Sequence, residues 1–150
     1  MLRWRHATPA DDETIVAMCL ALNAEDPGEP VAAPQIHATL AAFRAEPIRG
    51  RAIVAVDGTD DGATILAYAL LVSFWSNEYG GEMCTIDELY VAPSHRNQGL
   101  GGRLFDEAAA LWGRPVVALQ LEVHPNNDRA RALYARLGFR ASSDLLRRRV

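Results

Sequence analysis

The stretch from Met83 to Val123 constrains the fold more than any other. Met83 to Val91 reads as a strand and Gly99 to Trp112 as a helix with Leu100, Leu104, Phe105, Ala108 and Leu111 on one stripe. Val116 to Val123 reads as a buried-type strand. Strand, helix and strand in that order make a crossover, which sets the two strands parallel in one sheet with the helix on its face.

The flanking segments must build on that unit. Leu2 to His6 reads as a first strand. Thr8-Pro9 with Asp11, Asp12 and Glu13 marks a helix start, and Ile15, Met18, Cys19 and Leu22 follow at helical spacing. Pro27-Gly28-Glu29-Pro30 breaks this helix. A second helix is predicted over Pro34 to Ala45, with Ile36, Leu40 and Phe43 on one face, and Pro47 ends it. Strands are predicted over Arg51 to Val56 and Thr64 to Trp75, joined by a turn from Asp57 to Gly62. Gly80-Gly81 turns the chain into the central strand. A helix over Asn127 to Leu137 is stopped by Gly138, and the tail from Phe139 is expected to add one or two strands. The predicted fold is one α/β domain over residues 1–150, with a mixed, mostly antiparallel sheet flanked by helices.

Charge is distributed unevenly. Residues 1–90 hold 14 acids against 5 arginines, whereas residues 91–150 hold 5 acids against 10 arginines. This split suits a phosphorylated ligand on the second half and a cationic one on the first. All 15 basic residues are arginine, so the chain has no lysine side chain to modify. Cys19 and Cys84 fit no zinc or redox spacing and read as buried hydrophobes. The four histidines show no metal-ligand spacing, and no metal is expected. Arg147-Arg148-Arg149 is too short a run to imply nucleic acid. No apolar run suggests a membrane span or a secretory leader, so a cytoplasmic location is expected.

The chemistry concentrates in Leu89-Tyr90-Val91-Ala92-Pro93-Ser94-His95-Arg96-Asn97-Gln98-Gly99-Leu100-Gly101-Gly102. A strand enters a glycine-rich turn and a helix starts at once. Glycines let a ligand approach the backbone, and the first amides of a helix with its dipole form an anion site. Arg96 and Arg103 can add charge. A Walker loop needs Lys and then Ser or Thr after its glycines, where Arg103-Leu104 stand. A dinucleotide fingerprint needs a longer glycine spacing than Gly99-x-Gly101.

Arg96-x-x-Gly99-x-Gly101 resembles the pyrophosphate-binding signature of the GNAT superfamily of N-acetyltransferases. Asn127-x-x-Ala130-x-x-x-Tyr134-x-x-x-Gly138-Phe139 is similar to a second block of that family, in the family's order. The resemblance implies a GNAT acyltransferase fold with splayed central strands, and acetyl-CoA as cosubstrate. It implies that backbone groups of Leu89, Tyr90 and Val91 hold the pantetheine arm. Amides of Asn97, Gln98, Gly99, Leu100, Gly101 and Gly102 would hold the pyrophosphate. Asn127 and Tyr134 would flank the thioester.

Transfer to an amine needs a base, since a protonated amine of pKa near ~10.4 has no lone pair. It also needs a donor for the oxyanion and an acid for the departing thiolate. The resemblance makes Tyr134 the acid. Asp87 and Glu122 match positions where different relatives carry a base, with a water-only route left open. Glu88, on the opposite face of its strand from Leu89, is a candidate substrate contact with Asn77, Glu78 and Tyr79 of the loop before the central strand. The expected acceptor is a small cationic amine. A protein N-terminus, a longer acyl chain, a non-catalytic acyl-CoA sensor and a homodimer remain open.

Overall fold

A computed structural model of the chain describes residues 1–59 and 62–150. The expected turn from Asp57 to Gly62 therefore lies partly outside the described residues. β1 (Leu2–His6) leads through a short 3-10 turn, Pro9–Asp11, into α1 (Asp12–Glu25) and α2 (Ala33–Ala45). β2 (Arg51–Asp57), β3 (Thr64–Ser76) and β4 (Gly81–Val91) form the meander. A second 3-10 turn, Pro93–His95, precedes α3 (Leu100–Trp112), β5 (Ala118–Leu121) and α4 (Asp128–Arg136).

The sheet order is β1-β2-β3-β4-β5, antiparallel except for the parallel β4–β5 pair that α3 connects. Each face is covered. Under α3, Leu100, Leu104 and Trp112 pack on Trp4, Ile53, Ala69, Leu71, Cys84 and Ile86. On the other face, Ile15, Val16 and Cys19 of α1 and Ile36 and Leu40 of α2 cover Val54, Val56, Tyr68, Leu70 and Tyr90. The buried Trp4 indole donates to the carbonyl of Leu100 at 3.1 Å and ties β1 to the start of α3.

The register of β3 and β4 contains the feature that shapes the site. Leu71 pairs with Ile86 and Leu70 with Glu88, so Asp87 is an extra residue on β4. Such a bulge shifts the alternation of side chains by one place and bends the strand. Cys84 and Ile86 therefore share the α3 face with Leu89 and Val91, while Tyr90 lies on the α1 face. β5 follows β4 only from Met83 to Ile86, and its pairing stops at the bulge.

Two expectations are corrected here. The strand expected over 116–123 is four residues long, because β4 offers a straight partner only up to Ile86. The tail after Gly138 forms no strand among the described residues. β5 presents too short an edge to template one, and the tail arginines reach carboxylates instead, Arg147 to Glu122 and Arg149 to Glu29. Among the described residues no helix is long and apolar enough to cross a membrane.

Candidate active site

Beyond Ile86, β4 keeps its β3 partner up to Val91 but has lost β5, so one edge from Asp87 to Val91 is open. The amide of Ala92 donates to Leu66 on the β3 side at 2.8 Å. Among the described residues every peptide bond is trans, so the carbonyl of Val91 points the other way, to the open edge. Groups two residues apart point alike in a strand, which turns the amide and carbonyl of Leu89 to the same edge. Backbone donors and acceptors thus line a slot between β4 and β5, matching the expected splay.

The turn that follows closes one end of the slot. Asn97 and Gly99 adopt left-handed backbone, with φ of 63° and 79°. Among the described residues, none of the amides from Asn97 to Gly102 donates to a protein acceptor; the first bonded amide of the helix is Arg103, on Gly99. These free N–H groups stand at the positive end of α3, which is an anion site. A Cβ at Gly99 would meet nothing within 4 Å, and at Gly101 only Leu89 at 3.9 Å, so the space over the turn is open to a ligand.

Arg96 acts differently from its expected part as a free cation. Its Nε donates to the Val91 carbonyl at 2.9 Å and its Nη2 reaches both oxygens of Glu25, at 2.9 and 2.7 Å. The guanidinium lies 5.4 Å from the centre of the Tyr90 ring. Arg96 fastens the turn to β4 and to the end of α1, so its guanidinium is already engaged. Arg103 pairs with Glu107 in solvent.

α4 lies against this turn. Leu137 comes near Gly102, and Arg129 donates to Asn97 Oδ1 at 2.6 Å. Asn127 caps α4, accepting from the Ala130 amide at 3.2 Å. Tyr134 is half-buried, with its ring edge-on to Phe105 and Phe139 at 5.9 and 6.0 Å. Its hydroxyl meets no hydrogen-bond partner among the described residues. Burial and, secondarily, the Asp26 charge hold its pKa above that of an ordinary phenol, so it keeps its proton.

The carboxylates differ sharply. Glu122 is exposed and both its oxygens accept from Arg147, at 3.1 and 3.0 Å. Asp87 still reaches solvent, yet the protein around it raises its pKa, with the Glu122 charge adding and Arg147 opposing. Glu88 is half-buried on the α1 face. Its Oε2 accepts from the Tyr68 hydroxyl at 2.8 Å and from the Cys19 thiol at 3.7 Å. Burial raises its pKa first of all; the Tyr68 bond lowers it, the Asp87 charge raises it, and the Cys19 bond lowers it. Sequence reading missed Tyr68 and Cys19 here, because diagonal contacts across a ladder leave no mark in strand periodicity.

Asn77, Glu78 and Tyr79, the expected substrate contacts, stand apart from the slot. They are exposed at the hairpin tip between β3 and β4, where β4 begins, whereas the slot opens from Asp87 onward. Six residues of strand separate the start of β4 from Asp87, about 20 Å at the usual rise. Acids nearer the slot come from the end of α1: Glu25 on Arg96, and Asp26, 3.3 Å from His124. Among the described residues no group of three His, Cys, Asp or Glu could hold a metal ion.

A crossover sheet whose parallel pair ends beside a free-amide helix start leaves an open slot with an anion site at one end. The profile of the acetyltransferase (GNAT) family matches residues 18–139, and the chain belongs to that family. No curated protein matches the sequence. A possible acetyltransferase from Clostridium difficile 630 shares 20% identity, with 100% of this chain and 98% of that one covered, at a TM-score of 0.81. A transcriptional regulator from Bacillus halodurans C-125 shares 23%, with both chains fully covered (100% and 100%), at 0.76. A ribosomal-protein-alanine N-acetyltransferase from Brucella melitensis biovar Abortus 2308 shares 18%, again with 100% of each chain covered, at 0.74. At these identities the likeness is one of fold.

Proposed function

We propose that this enzyme moves an acetyl group from acetyl-CoA directly to a primary amine, and that the acceptor is a small cation. The carrying observation is the run of unbonded amides from Asn97 to Gly102 beside the open edge of β4. It offers a pyrophosphate seat and a backbone track in series. Acetyl-CoA supplies the thioester carbonyl when bound. Leu89 and Val91 align the pantetheine arm as an added strand would, with Tyr90 between them turned to β3, and Asn127 borders its thioester end. The Leu89 amide, turned to the slot, is placed to stabilise the oxyanion.

Glu88 is the base that fits best. Burial raises its pKa, neutral donors hold it, and it stands where β5 has departed. Asp87 and Glu122 become the acids that draw the cationic acceptor, Glu122 once Arg147 gives way. Glu88 takes a proton from the ammonium, and the freed lone pair attacks the carbonyl carbon. As the carbon–sulfur bond breaks, Tyr134 gives its proton to the thiolate and recovers one from the new amide nitrogen. The Glu88 proton then leaves to solvent.

A panel of amines with acetyl-CoA, followed by release of the CoA thiol at low and high salt, tests this. Polyamines and other multiply charged amines should give the highest kcat/KM at low salt. Their advantage should shrink at physiological ionic strength, where exposed charges are screened over about 8–10 Å. A neutral or anionic amine as best acceptor at low salt contradicts the acceptor class. No thiol release with any amine contradicts the transfer itself.

A further inference from the structure

Glu88 is gripped from two elements by groups that the transfer does not consume. Tyr68 on β3 pairs with Tyr90, and Leu70 pairs with Glu88, so Tyr68 and Glu88 are diagonal neighbours across the ladder. The Tyr68 ring is fully buried, and its hydroxyl donates to Glu88 Oε2 at 2.8 Å. From α1, Cys19 is 4% exposed and directs its thiol to the same oxygen at 3.7 Å. Oε1 accepts from no protein donor among the described residues. One oxygen is therefore fixed and the other is open.

We propose that Tyr68, assisted by Cys19, is the positioning residue for Glu88, pinning Oε2 so that Oε1 alone receives the proton of the incoming ammonium. This rests on the reading of Glu88 as the base. The ammonium N–H bond breaks, an O–H bond forms at Oε1, and the electron pair stays on nitrogen for attack at the thioester. Tyr68 remains a donor throughout. Burial, then the Glu88 charge, holds its hydroxyl far above an ordinary phenol, so it does not take part as an acid. Cys19 is likewise kept as a thiol, pushed up to about 11 chiefly by burial.

The groups that face Glu88 set the sign of the effect. Tyr68 from β3 and Cys19 from α1 donate to the carboxylate and favour its charged form, while Asp87 on β4 and burial disfavour it. Removing the Tyr68 hydroxyl must push the Glu88 carboxyl further up. The acid limb of kcat/KM then moves to higher pH, and turnover recovers once the medium is alkaline enough to strip the proton. A residue that merely fills space would lower the rate equally at every pH.

The experiment is a titration of ¹³C-glutamate-labelled full-length protein by NMR, with the Glu88 carboxyl assigned by its loss in Glu88→Gln. In Tyr68→Phe that carboxyl should titrate about one unit or more above its value in the parent. Cys19→Ala should move it the same way by less, and it carries the test if Tyr68→Phe fails to fold. The acid limb of kcat/KM, taken with acetyl-CoA and the fastest amine of the panel, should follow, with the KM for acetyl-CoA unchanged. An unmoved Glu88 titration in folded Tyr68→Phe, or in Cys19→Ala where Tyr68→Phe does not fold, overturns the positioning role. A moved titration with an unmoved acid limb, or full turnover in Glu88→Gln, overturns instead the assignment of Glu88 as base, and the proposal with it.

Discussion

A half-buried carboxyl with a raised pKa binds protons more readily folded than unfolded. Between the ordinary glutamate value of 4.5 and the raised value, the native state therefore carries more protons, and stability falls as pH rises through that window. Above the window the full penalty of a buried charge persists. Glu88→Gln should melt at a higher temperature than the parent at neutral pH, with the gap closing toward pH 4.5, while turnover drops about 10²–10⁴-fold. Melting curves across pH, beside a rate assay, check both halves. Asp11 carries the opposite sign. Its carboxylate accepts from Arg5 at 2.7 and 3.0 Å and from the Thr8 amide at 2.7 Å, and these bonds, that of Arg5 foremost, hold its pKa below 3.8. That contribution is present above the unfolded value and disappears as pH falls through the lowered one. Asp11→Ala should cost about 1–3 kcal/mol at pH 7 by denaturant titration, and less in acid. Sequence reading placed Asp11 only as a helix-dipole acid, because the partnership with Arg5 depends on where β1 leaves the chain. It also took Glu88 for a substrate contact and not a base, since nothing in a linear pattern distinguishes an acid beside a buried tyrosine from one beside water.

Elements were more legible than contacts. The second helix, the meander, the crossover and the capped helix at Asn127 stand within one or two residues of their expected bounds, and α1 starts three residues after Pro9, behind a 3-10 turn, because hydrophobic period and glycine or proline punctuation determine them locally. What failed was ladder length. Periodicity says which face a residue takes but not whether a neighbouring strand is still there, so the short β5 and the strandless tail were invisible. The bulge at Asp87 was equally hidden: Thr85-Ile86-Asp87-Glu88-Leu89 can be read with or without an extra residue. The glycine turn was read as backbone chemistry, and its amides are unbonded among the described residues. Gly99 sits at φ 79°, where a Cβ costs about 1–2 kcal/mol, so Gly99→Ala should lower stability by about that much. Since the same backbone presents the free amides, its acetyl-CoA affinity should fall as well. A thermal-shift series with increasing acetyl-CoA separates the two effects, one as a lower starting melting temperature and the other as a smaller rise.

At the scale of the molecule, the acidic first half and arginine-rich second half do not face each other as two bare fields. They interlock, with Glu25 on Arg96 and Glu29 on Arg149, while Glu122 pairs with Arg147 within the second half. Asp12 instead pairs with Arg44 and Glu13 with His37, at the far end of α1. The residual attraction for a cationic acceptor thus falls to the few acids at the slot rather than to the whole half, and exposed pairs of this kind contribute little stability. What joins the layers is the arrangement around β4: a bulge that releases β5, an arginine that ties the turn to α1, and a helix start with unbonded amides. If that arrangement is a seat for acetyl-CoA, binding must depend on backbone access at the turn. Calorimetric titration of acetyl-CoA into the parent and into Gly101→Val, each first shown to be folded, measures this directly. The account predicts saturable binding to the parent and a dissociation constant at least about tenfold higher in the variant, a loss of about 1.4 kcal/mol. Equal affinity in the two proteins, or no binding to the parent, would contradict it.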